Sequence, residues 1–186
     1  MRLFWLLALV LSSAPRLAAQ TVIRPTPPLD SARAAVRDAL LLLSDSLGTI
    51  DAAAARLQRD YREASGASLL FRARMMHEAC TRSAGMVPPT RERVLATKVS
   101  ESQRIKHRQE LVSALGQLKT ALNQCESQFA KMSQPGQSET VRGYGNDRAI
   151  RVQGALRNYE RTLHEFFGVM GIRVVPVGAD TRPASG

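Results

Sequence analysis

The chain has 186 residues and a formal charge of +10, from 26 Lys and Arg against 16 Asp and Glu; 44% of its residues are hydrophobic and 5% aromatic. That length is one domain's worth and enough to bury a core. The charge attracts polyanions, but single-stranded nucleic-acid binding also wants aromatic stacking platforms, and none lies inside a basic cluster, so no specific nucleic-acid reader is expected. With 22 Arg to 4 Lys, the basic excess reads in part as coding bias, leaving weak attraction to anionic envelope polymers.

The first twenty residues, MRLFWLLALVLSSAPRLAAQ, combine Arg2, an apolar run from Leu3 to Leu11 and small residues up to Ala18-Ala19-Gln20. This is the pattern of a cleaved secretory signal peptide, because spanning a bilayer takes about 20 apolar residues and this run is shorter. The mature chain is expected to be exported, to the periplasm or beyond, with about 166 residues and no transmembrane segment.

Residues 21–29, with three prolines, read as an extended leader. From Val36 the apolar positions step by four and three through Leu40, Leu43, Leu47, Ile50, Ala54, Leu57, Tyr61 and Ala64. That stripe predicts one long N-terminal helix capped at Asp30-Ser31 and ended by Gly66 as a C′ glycine, about 52 Å long; two helices hinged at Gly48 are the alternative. Ser68 then offers a cap for a second helix with Leu69, Ala73, Met76 and Cys80 inside, closed by Gly85 and Pro88-Pro89. A third seam runs Leu111, Leu115, Leu118, Leu122, Cys125, Phe129 and Met132 up to Pro135-Gly136. After a Gly- and Ser-rich linker over 133–146, a fourth starts near Asn146-Asp147 with Ala149, Val152, Leu156, Tyr159, Leu163, Phe166 and Met170. No useful β-alternation remains. The expected fold is all-α, a bundle of about four helices with heptad-like seams over residues 30–171 and a flexible C-terminal tail over 172–186.

Residues 90–110 carry too few apolar positions for a clear stripe, and the two cysteines decide how they run. Cys80 and Cys125 fall on core stripes of an exported protein, which predicts a disulfide. One straight helix from Thr90 to Cys125 would be about 52 Å long, more than the residues after Cys80 can retrace, and would hold the sulfurs apart. A disulfide therefore requires a break somewhere in 86–103, with the third helix starting near Ser102.

The stretch MMHEACTRSAGMVPP also raises chemical readings. His77 and Cys80 are three apart, as a base and a thiol nucleophile would be, but no third residue orients them. A copper or haem site would use His77 with Met75, Met76 or Glu78, joined by His164 or His107, since thioether and imidazole suit copper. No His-x-x-x-His, Glu-x-x-His or Cys-x-x-Cys-His supports that site, so no cofactor is expected. Gly-x-Ser-x-Gly, HExxH and phosphate-loop motifs are absent, and Gly143 and Gly145 read as linker. The expectation is a non-enzymatic structural or protein-binding module. Its first helix, all leucine from Leu40 to Leu43, carries more apolar surface than one seam needs, which suits a protein partner or a homo-oligomer.

Overall fold

A computed structural model describes residues 31–59 and 61–172. The predicted signal peptide, the proline-rich leader and the tail beyond Ile172 lie outside the described residues. Within them the fold is an all-α four-helix bundle: α1 (Ser31–Gln58), α2 (Gly66–Ala96), α3 (Ser102–Met132) and α4 (Ser138–Met170). None of these helices is long and apolar enough to cross a membrane. Short connections make neighbours antiparallel, with α3 packed between α2 and α4 and α1 lying on α2 and, less extensively, on α4. The seams meet in one core, where Leu40, Leu43, Ile50, Leu69, Met76, Leu115, Leu118, Phe129, Tyr159 and Phe166 are fully shielded. Burying side chains of this size contributes about 1.5–3 kcal/mol each, and this outweighs the modest helix propensity of the individual segments.

Helix α1 passes Gly48 without a break but ends at Gln58, eight residues before the predicted terminus. Arginines from other helices explain the early stop. Arg72 of α2 donates to the Arg59 carbonyl, and Arg142 of α4 donates to the carbonyls of Tyr61 at 3.0 Å, Arg62, and Ala64 at 2.9 Å. Carbonyls that a longer helix would have satisfied internally are held by guanidinium groups, which also suit the negative end of the helix dipole. Gly66 is therefore not a helix terminator. It opens α2, capped by Ser65, whose hydroxyl accepts from the Ser68 N–H at 3.2 Å, so the cap is three residues earlier than expected. A Cβ on Gly66 would stand 3.2 Å from the Ser138 side chain at the start of α4, so glycine permits this close approach.

Pro88 and Pro89 do not close α2; the helix runs on to Ala96. Proline lacks an N–H, so Pro88 strands the Ala84 carbonyl and Pro89 strands that of Gly85. The α3 residue Lys119 supplies the missing donor, its Nζ lying 2.9 Å from the Ala84 oxygen, while Gly85 is open to water. Replacing the ammonium, as in Lys119→Met, is expected to cost about 1–2 kcal/mol in urea unfolding. In a Pro88→Ala background the backbone regains its N–H, so the same substitution should cost almost nothing; an equal cost in both backgrounds would refute the assignment.

The predicted break lies at 97–101, between α2 and α3, and the Cys80–Cys125 disulfide is formed, with the Cα atoms 6.0 Å apart. The lengths fit: from Cys80 to Ala96 the chain descends about 24 Å, from Ser102 to Cys125 it climbs about 35 Å, and the five connecting residues cover the difference. Arg108 secures the end of α2 by donating to the Thr97 carbonyl at 2.8 Å.

Helix α4 starts at Ser138 rather than near Asn146, so most of the expected linker is helical and only 133–137 connects. Val141 and Gly145 extend the α4 seam by two turns, and Gly145 packs against Leu57 of α1, whose Cδ2 would lie at an ordinary contact distance of 3.4 Å from a Cβ there. At the other end Gly171 adopts φ 66° and Ile172 donates to the Phe167 carbonyl at 2.9 Å, a Schellman closure with Ile172 buried. Ile172 belongs to the bundle, not to the tail.

Candidate functional site

Along α1, residues Thr49, Ala52, Ala53 and Arg56 share one face by their three- and four-residue spacing, and on α2 Ser68, Phe71, Arg72, Met75, Glu78 and Arg82 do the same. The two faces meet in a surface groove with two adjoining hollows of about 290 and 280 Å³, which share Ala53, Arg56 and Met75. Phe71 is 62% exposed at one end of the groove and Met75 half-buried along its floor. Arg56, Arg59, Arg72 and Arg82 rim it, against the single carboxylate of Glu78. Arg56, Arg59 and Arg82 are exposed and form no ion pair among the described residues. Seven residues before Thr49 on the same α1 stripe, Leu42 is 60% exposed. It is the apolar surplus expected of the four-leucine run, since Leu40 and Leu43 are buried and Leu41 is half-buried.

The groove went unpredicted because it combines two helices that the sequence separates by a turn. Its one local signal is Phe71, an aromatic off the Leu69, Ala73, Met76 and Cys80 stripe. The remaining predicted residues are placed elsewhere. Met76 is fully buried in the core. His77 is half-buried beside the disulfide, its Nδ1 3.2 Å from the Glu126 carbonyl of α3. His164 is exposed on α4. His77 and His164 join no group of three His, Cys, Asp or Glu ligands; among the described residues the one such group is His107, Glu110 and Glu165.

Much of the positive charge has a structural task. Arg72, Arg104, Arg108 and Arg142 each donate to a backbone carbonyl at a helix end or in a connection, Arg104 to Val169 at 3.2 Å, and Lys119 serves Ala84. Those cations are less available to a polyanion than their number suggests, whereas Arg56, Arg59 and Arg82 remain outward.

Together, the helices and the groove define a disulfide-stapled four-helix bundle with a basic, apolar-floored cleft on one face. No protein-family model, no characterised protein and no solved structure matches the chain.

Proposed function

We propose that this protein is an exported, non-enzymatic binding module that captures an acidic amphipathic helix of a partner protein in the α1–α2 groove. The carrying observation is an apolar floor of Phe71, Met75 and Ala53 inside a rim of arginines. Guanidinium forks pair bidentately with carboxylates, and a methionine-containing floor adapts to apolar side chains, so the chemistry fits a helix with Glu or Asp on its flanks and Leu-like anchors beneath. Length favours a peptide over a small molecule: the α2 side, Ser68 to Arg82, spans about 21 Å, which matches about fourteen helical residues. Export rests on the signal-peptide pattern of residues 1–20, and the disulfide is compatible with an oxidising compartment.

The reading is tested with a synthetic acidic amphipathic helix of about fourteen residues, followed by fluorescence anisotropy at two salt concentrations. Arg56→Glu/Arg82→Glu is expected to weaken binding about tenfold or more, with Arg148→Glu/Arg151→Glu on α4 as the neutral control. Equal loss in both variants, or binding displaced only by heparin, would favour a general polyanion surface. A peptide that does not bind, with a protein that dimerises through the groove in light scattering, would replace the partner by a second copy.

A further inference from the structure

We propose that His107, Glu110 and Glu165 form a binding site for a divalent transition cation, with zinc the best-fitting ion, at the end of the bundle where α3 begins and α4 finishes. His107 and Glu110 are three apart on α3, so both project from one face, and the antiparallel α4 brings Glu165 against them. One ligand atom from each of the three lies within 4.8 Å of the others. Zinc bonds of about 2.0–2.2 Å place tetrahedral ligands about 3.4 Å apart. Closing the observed spread to that distance asks for a shift of little more than about 1 Å, within the reach of the rotatable glutamate side chains.

A second observation points at the same spot. The His107 side chain is 19% exposed, and its Nδ1 is shielded from water and makes no hydrogen bond. The atom nearest to it in this group is Glu110 Oε2 at 3.0 Å, close enough for an ion pair but not in hydrogen-bonding geometry. The contact with Glu110 is poorly aligned for a hydrogen bond, and a cation held between the imidazole nitrogen and the carboxylates would give that nitrogen a well-aligned partner. Two carboxylates and a neutral imidazole carry a charge of about −2, which a divalent ion neutralises. The mixed nitrogen and oxygen set favours zinc over magnesium or calcium, which take oxygen ligands, and it lacks the sulfur ligands that select copper(I).

The neighbouring cations leave room for the ion. Arg104 is occupied by Glu101 at 3.2 Å and by the Val169 carbonyl. Lys106 is the direct competitor, its Nζ 3.8 Å from Glu110 Oε1, but it is largely exposed and can turn to solvent. A bound ion would tie the first turns of α3 to the last turns of α4, at the opposite end of the bundle from the α1–α2 turn. The site also differs from the His77 and His164 alternative weighed from the sequence: α4 contributes the neighbour of His164, and α3 rather than α2 contributes the imidazole.

The test is calorimetric titration of zinc chloride into full-length, tag-free protein stripped with chelator, paired with the visible spectrum of the cobalt(II) form. The expected result is one saturable site, a cobalt spectrum of low-symmetry nitrogen and oxygen coordination, and an affinity lowered about tenfold or more in His107→Gln and in Glu165→Gln. His77→Gln and His164→Gln should bind as the parent does. Glu165 is exposed, so Glu165→Gln should keep the parent's melting curve in chelator and report on ligation alone. No saturable binding, unchanged affinity in Glu165→Gln, or loss that follows His77 or His164 instead would each overturn the assignment.

Discussion

Reduction of the Cys80–Cys125 disulfide is expected to lower the unfolding free energy by about 4 kcal/mol, a large share of the about 5–15 kcal/mol typical of a domain. The bond joins positions 45 residues apart, and releasing it returns the loop-closure entropy of that segment to the unfolded chain. The folded state should change little, because both cysteines sit in continuous seams, Cys80 fully buried and Cys125 4% exposed, and the surrounding leucines hold α2 against α3 without the sulfurs. Burial also shields the bond from reductant, so the comparison requires reduction in denaturant followed by refolding. Urea unfolding of oxidised and reduced protein at matched pH provides the measurement. A difference below about 1 kcal/mol would mean that the unfolded chain is already compact around this loop.

The same disulfide marks how far sequence reasoning reaches in this protein. Cys80 and Cys125 lie on apolar stripes, and the helical rise alone then excludes an unbroken helix between them; the connection at 97–101 is the result. Seams dominated by leucine, such as Leu111 to Met132, are legible because every third or fourth residue is buried and the spacing is regular. Helix ends are where the reading failed, and the failures share one cause. Gly66, Pro88-Pro89 and the glycines of 133–146 are local stop signals, yet at each the tertiary structure supplies what the local rule lacks. Lys119 gives Ala84 the hydrogen bond that Pro88 cannot, and Gly66 admits Ser138 to within 3.2 Å of where a Cβ would stand, closer than most side chains pack. Conversely α1 stops without a sequence signal where Arg72 and Arg142 take up the carbonyls of the turn just beyond it, those of Arg59, Tyr61 and Ala64. None of these partners is within ten residues of the position it decides.

The candidate sites follow the same division. Met75 stands out in the sequence as a soft ligand, and the structure makes it part of a groove floor because Arg56 and Ala53 of α1 lie across from it. His107 and Glu165 are 58 positions apart, and only the antiparallel pairing of α3 with α4 brings them together. A surface assembled from two helices has no one-dimensional signature when each helix contributes only a few residues at ordinary amphipathic spacing. Core stripes survive that limit because a single helix displays them whole.

Stability is expected to fall above pH about 10, at about 1.4 kcal/mol per pH unit, and Tyr159→Phe should abolish most of that fall. Tyr159 of α4 is fully buried. Its hydroxyl is turned toward Ser44 of α1, but neither oxygen has a hydrogen-bonding partner. Burial, the main cause, pushes the phenol well above its ordinary value, and the nearby Glu160 charge adds to the shift in the same direction. An acid whose folded-state value is raised binds its proton more tightly in the folded chain than in the unfolded one. Its stabilising effect is therefore complete below the unfolded value of about 10 and is lost as the pH climbs from there towards the folded value. The phenylalanine variant has no proton to lose and no orphan hydroxyl to bury, so at pH 7 it should equal or exceed the parent by about 1 kcal/mol. Urea unfolding of both proteins between pH 7 and 11 separates the two effects. Parallel stability curves across that range would show that the Tyr159 hydroxyl reaches water in the folded protein.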